Sequence, residues 1–205
     1  MAAPVPLSIT TSLETSFVND HTPDLPAVRS PGEHLVMFFT MGGDGGVVTV
    51  PSGWTLIHYT NLFTDDNGQW HIWIRELDGS EADTVTIETT GANKSVTHVV
   101  RLSGARQGVV EGTTWDFEYT TTSYGTKPDP PSATATWGAT DNLVIAATHF
   151  GNSGASVVTY PAGFSNQTTG SVGASCALAT KALTATASDD PAAFTISNTN
   201  TTEIQ

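Results

Sequence analysis

Cysteine is almost missing from this chain. Cys176 is the only one, so no intramolecular disulfide forms and stability must come from packing. A lone cysteine inside a strand pattern reads as a small buried hydrophobe. Basic residues are also scarce: 7 Lys and Arg stand against 20 Asp and Glu, for a formal net charge of −13. Such a surface repels phosphate backbones and anionic bilayers, so neither nucleic acid nor membrane is expected as a partner. Long hydrophobic runs are missing too. The longest, residues 35–39 and 143–147, are far too short to span a bilayer. The opening Met1-Ala2-Ala3-Pro4-Val5-Pro6 has neither the basic nor the apolar region of a signal peptide, so synthesis in a cytoplasm is expected.

Helical periodicity is nearly missing as well, and what is present is strand chemistry. The composition is rich in Thr, Ser, Gly and Ala, with Val and Thr favouring strands and Gly and Pro marking turns. Strands are predicted over 35–41, 54–62, 69–77, 84–89, 95–103, 143–150, 174–183 and 194–197. Turns or loops are predicted at residues 42–46, 65–68 and 78–80. Regular short strands with turns between them predict an all-β protein with little or no helix, a jelly-roll-like β-sandwich.

An internal duplication organises the chain. Leu35-Val36 matches Leu143-Val144, and Val47-Val48-Thr49 matches Val157-Val158-Thr159. Pro51-Ser52-Gly53-Trp54 matches Pro161-Ala162-Gly163-Phe164. Further on, residues 72–77 resemble 178–183, and Thr86-Ile87 matches Thr195-Ile196. Pro-x-Gly suits a tight turn, and the aromatic after it, Trp54 or Phe164, is expected to plug the core. The reading is two similar Greek-key-like halves sharing one domain. Residues 1–31 are an N-terminal arm and first strand, and 32–103 the first half. Residues 104–139 are a crossover with the Pro-rich stretch 127–131, and 140–205 the second half. Each half alone is marginal for independent folding. An edge strand is expected near 113–121, and a free arm over 1–13 that lies across a neighbouring subunit.

The search for chemistry assigns no catalytic, cofactor-binding or metal residues, and the expectation is a protein that is not an enzyme. The six histidines, His21, His34, His58, His71, His98 and His149, show no HExxH and no i, i+2 pair. His58, His71 and His98 sit beside apolar residues in strands, so alternation predicts that they face solvent. No G-x-S-x-G is present, and Cys176 has no nucleophile signature around it. Glu76 with Asp78, and the run Glu111, Asp116 and Glu118, read as solvated faces rather than paired acids. Asp65-Asp66-Asn67-Gly68 and Gly43-Asp44-Gly45 have oxygen ligands for calcium, yet such residues ordinarily stabilise the turn itself. Trp70 and Trp73 should lie on opposite faces of one strand, one in the core and one outward or at an interface. Trp115 and Trp137 bracket the crossover, and an exposed Trp suits sugar stacking or a protein interface.

The apolar strand and Gly-rich loop, then "VTVPSGWTLIHY", "HIWIREL" and "THVVRLSG", together resemble a β-sandwich module of tailed-phage virion proteins. In that module the second half opens as Asp141-Asn142-Leu143-Val144-Ile145-Ala146 does in this chain. The resemblance spans about residues 32–196. It implies a virion structural protein without catalytic residues, most simply a capsid decoration (cement) protein on the outside of the phage head. Its implied partners are the major capsid protein or other virion proteins, with homo-oligomerisation, and its implied place is the virion. The alternative is a tail-fibre or adhesin module that binds a carbohydrate or receptor. A sandwich-fold glycan hydrolase or lyase is disfavoured by the lack of paired acids.

Overall fold

The structure, a computed structural model, describes residues 3–42, 46–62, 68–105, 119–120, 128–135, 138–150, 156–197 and 203–204. Among them there is no helix. Fourteen strands follow in order: β1 (Val5–His21), β2 (His34–Gly42), β3 (Thr55–Leu62), β4 (Gly68–Glu76), β5 (Ile87–Ser103), β6 (Tyr119–Thr120) and β7 (Ala133–Thr134). The remainder are β8 (Asn142–Phe150), β9 (Val157–Thr159), β10 (Ser165–Val172), β11 (Ala174–Leu183), β12 (Ser188–Asp189), β13 (Thr195–Ile196) and β14 (Glu203–Ile204).

The strands form two antiparallel five-stranded sheets. The first has the order β1-β5-β2-β4-β3 and the second β10-β11-β8-β14-β6. Read from the opposite edge, the second repeats the first, with β6, β14, β8, β11 and β10 in the places of β1, β5, β2, β4 and β3. The duplication is therefore architectural. It extends to small features: the bridge Asp24↔Thr84 has its counterpart in the β7–β12 pair, and Val48↔Thr89 in the β9–β13 pair. The Trp54 N–H donates to the Pro51 carbonyl at 3.1 Å, and the Phe164 N–H to the Pro161 carbonyl at 3.2 Å. Gly53 and Gly163 close those two turns at φ 79 and φ 80, a backbone region open to Gly and costly for other residues.

Three cores fill the protein. The inner faces of the two sheets meet around Val36, Phe38, Trp70, Ile72, Val100, Cys176 and Leu178. The outer face of the first sheet packs Leu35, Met37, Phe39, Trp73 and Val99 against Leu25, Trp54 and Leu77 from its own loops. The outer face of the second packs Ala146, Ala177 and Ala179 against Phe164, Phe194 and Ile196. Central strands are thus covered on both sides, which is why β2 is buried along nearly its whole length and reads as an apolar run. Each fully buried aliphatic or aromatic side chain here contributes about 1.5–3 kcal/mol of transfer free energy.

Several expectations are corrected. Residues 84–89 and 95–103 are not separate strands, because β5 runs unbroken from Ile87 to Ser103. The arm expected over 1–13 is not free from Val5 onward, since β1 pairs with β5 from Val5↔Ser103 to His21↔Ile87. The stretch 104–139 supplies β6, which takes in the second sheet the place of β1 in the first, and β7, whose pair with β12 is the counterpart of the Asp24 bridge. The edge strand expected over 113–121 lies outside the described residues except for Tyr119–Thr120, which is β6.

The match of Leu35 with Leu143 is also off by one. Leu35 faces the outer core, whereas Leu143 packs against the inner one. Side-chain direction alternates along a strand, so a one-residue slip exchanges faces. The residue equivalent to Leu35 by face is Val144, which packs on the outer core of the second sheet.

Candidate functional site

The residues singled out in the sequence are mostly structural. Trp54 and Phe164 are buried plugs beneath the two Pro-x-Gly turns, as expected. A cation attends each turn. The Arg75 guanidinium lies 3.2 Å from where a Cβ on Gly53 would sit, and Lys181 Nζ stands 5.4 Å above the Phe164 ring. Each cation pairs with a carboxylate that follows its strand, Arg75 with Glu81 in the loop after β4 at 3.4 Å and Lys181 with Asp189 on β12 at 2.6 Å. Trp70 and Trp73 do point to opposite faces. Neither is outward, however: Trp70 is in the inner core and Trp73 in the outer one. Trp115, Trp137, Glu111, Asp116 and Glu118 lie outside the described residues, as do residues 43–45 and 65–67.

The histidines depart furthest from expectation. His71 and His98 are 4% and 0% exposed rather than solvent-facing, and His58 is half-buried. Burial pushes His58, His71, His98 and His149 down to about 4, so all four are neutral near pH 7. They build hydrogen bonds and ring stacks. Tyr59 lies 4.6 Å from His71, and His71 stacks on Trp73 at 5.1 Å and 18°. Cys176 is fully buried, and burial pushes its thiol up, so it behaves as the small hydrophobe expected. Among the described residues no three His, Cys, Asp or Glu side chains gather to hold a metal ion. Asp78 is exposed and organises a turn, accepting from the Ser80 N–H at 2.8 Å.

The feature that sequence reasoning placed only as a first strand within residues 1–31, without its bounds or its exposed edge, is β1. It is an edge strand of 17 residues, and no described strand pairs with its free side. It holds Val5, Leu7, Leu13 and Phe17, four of the nine large hydrophobic residues that the described surface exposes. Phe17 is 70% exposed, with only Lys94 Nζ over its ring at 5.2 Å. Beside β1 runs β10, and a shallow groove of about 240 Å³ lies between them, lined by Leu7, Ile9, Asn166 and Thr168 among others. Edge strands ordinarily carry Lys or Pro to block pairing. β1 has no Lys or Arg, and its one Pro, Pro6, lies near its start, so its edge is interrupted chiefly by bulges between Pro6 and Ser8 and between Glu14 and Asp20. The mixed Ser, Thr and apolar pattern of residues 5–21 is the signal that marks it in the sequence.

Electrostatics bias this surface toward negative charge. Arg29, Arg75, Arg101 and Lys181 are held by Asp83, Glu81, Glu33 and Asp189. Arg101 grips Glu33 through two bonds of 2.6 Å, which holds the Glu33 carboxyl below its usual range. At the end of β1, exposed Asp20 stands directly opposite exposed Glu88 on β5. Like charges in that register repel. No family model, no curated protein and no solved structure matches the chain.

Proposed function

We propose that this chain is a non-enzymatic structural protein of a phage virion, a decoration protein that binds the major capsid protein on the outside of the head through β1. The observation that carries the reading is the set of four exposed apolar side chains, Val5, Leu7, Leu13 and Phe17, on an edge strand whose free side no described strand pairs. Exposed apolar side chains on a sheet edge that no described strand covers suit addition of a partner strand, with side chains giving specificity. The charge pattern adds a requirement. A capsid surface with a basic side chain near Asp20 and Glu88 relieves their repulsion. The resemblance to virion sandwich modules supports the same reading, and the acidic remainder of the surface keeps a crowded coat soluble.

The test is binding of the purified chain to capsid shells that lack it. Leu7→Glu and Phe17→Glu abolish binding under this reading, while Val28→Glu, on an exposed loop site away from β1, leaves it intact. Equal binding by all variants would contradict the reading. Tyr59 favours a second one. It is 45% exposed and its ring lies 4.6 Å from His71, tilted by 34°, so an aromatic face is open to a sugar. Glycan-array binding at micromolar affinity that Tyr59→Ala removes would favour the fibre or adhesin alternative.

A further inference from the structure

Two fully buried histidines tie the sheets together. His98 stands on β5 of the first sheet. Its Nε2 donates to the Cys176 backbone oxygen on β11 of the second at 3.0 Å. A carbonyl only accepts, so the proton sits on Nε2 and Nδ1 accepts from Thr11 Oγ1 at 2.9 Å. Thr11 Oγ1 in turn lies 3.1 Å from Thr168 Oγ1 on β10. His149 runs the other way. It stands on β8 of the second sheet, and its Nδ1 hydrogen-bonds Thr40 Oγ1 on β2 of the first. Its ring stacks on Trp70 at 29°. Each sheet therefore lends one histidine to the other.

The described side chains around both rings are neutral, and on β14 Ile204 pairs with His149 and Glu203 with Phe150. His98 meets Thr11 on β1, Gly170 on β10, and the backbone of Cys176 on β11, whose thiol burial keeps protonated. His149 meets Thr40, Gly68, Trp70 and the Ser175 backbone. His21, by contrast, has Glu14 and Asp20 near enough to favour its charge. Among the described side chains no such carboxylate offsets protonation of either inter-sheet ring.

We propose that His98 and His149 form an acid-sensitive clasp, so that mild acid opens the sandwich between its two sheets. A cation at either ring would be an unpaired charge in an apolar core, and separation of the sheets returns it to water. Burial holds both rings near 4 in the closed form, whereas a solvated histidine takes its proton near 6.5. Linkage then raises the population of the open form roughly 30-fold per histidine between pH 7.5 and pH 5, on the order of 10³ for both.

Cys176 reports the opening, because it is buried between the sheets. The experiment measures labelling of Cys176 in the full chain with dithiodipyridine, which reacts in acid, relative to the unfolded chain at each pH. The expected result is a protection factor that falls on the order of 10³ from pH 7.5 to pH 5. The His98→Gln, His149→Gln double variant keeps hydrogen-bonding groups that do not titrate, and it loses this fall. The His58→Gln, His71→Gln pair keeps it. Protection that changes less than threefold in the wild type, or a fall that persists in the inter-sheet double variant, overturns the proposal. Should that variant not fold, ring ¹⁵N shifts decide: neutral rings in the folded wild type at pH 5 support the clasp, and titration near 6.5 with the folded spectrum intact overturns it.

Discussion

Gly42, at the end of β2, meets Gly173, between β10 and β11, so closely that a Cβ on Gly42 would lie 2.5 Å from the Gly173 carbonyl oxygen. The two halves thus touch backbone to backbone at one end of the sandwich. Rigid backbone cannot yield as a side-chain end can. Gly42→Ala is predicted to cost about 1–3 kcal/mol, the range of overpacked sites. The urea midpoint should fall with an unchanged slope.

The paired turns give a second prediction. Gly53 and Gly163 share a positive φ, so Ala at either position costs about 1–2 kcal/mol of backbone strain. Gly53 carries an extra burden, because the new Cβ would come 3.2 Å from the Arg75 guanidinium, against 3.9 Å from Lys181 at Gly163. Thermal unfolding of both variants should rank Gly53→Ala as the more destabilised. Equal losses would show that Arg75 moves aside freely.

The fold was legible where burial is two-sided. Residues 35–41, 143–150 and 174–183 are mostly apolar because each central strand packs on both faces, and the apolar run marks each of them. The same fact hid the histidines. An apolar neighbour implies a solvent-facing residue only when one face of the sheet is wet, and both faces of β4 and β5 are covered around His71 and His98. β10 was illegible for the opposite reason: Ser165–Val172 is an edge strand with mostly polar residues and no apolar alternation. β1 failed similarly, since bulges between Pro6 and Ser8 and between Glu14 and Val18 break its period.

Acid should weaken the protein in two stages. Histidines with folded pKa values below 6.5 contribute their full stability above pH 6.5 and lose it as pH falls toward about 4. Glu33, held low by Arg101, contributes stability above the ordinary carboxylate range and loses it as pH falls through its lowered folded value. Both act in the same direction. Urea midpoints measured from pH 8 to pH 3 should be flat above pH 7 and decline below 6.5. A midpoint that rises on acidification would contradict the burial of these rings.

Substitutions of the exposed apolar residues on β1 separate stability from contact. Leu7, Leu13 and Phe17 are 43%, 49% and 70% exposed, so Phe17→Ser is expected to shift folding stability by no more than about 0.5 kcal/mol. Leu13 is the internal control. Its Cδ2 lies 3.0 Å from the position of a Cβ on Gly170, so it packs on the second sheet and Leu13→Ser should cost more than Phe17→Ser. Chemical denaturation of the two variants checks the ranking.

The coat-protein reading has one most direct measurement, quantitative mass spectrometry of virions purified from cells that make the chain. A decoration protein is present in hundreds of copies per particle, in fixed ratio to the major capsid protein, and this is the result the account predicts. A few copies per particle, or none, would contradict it.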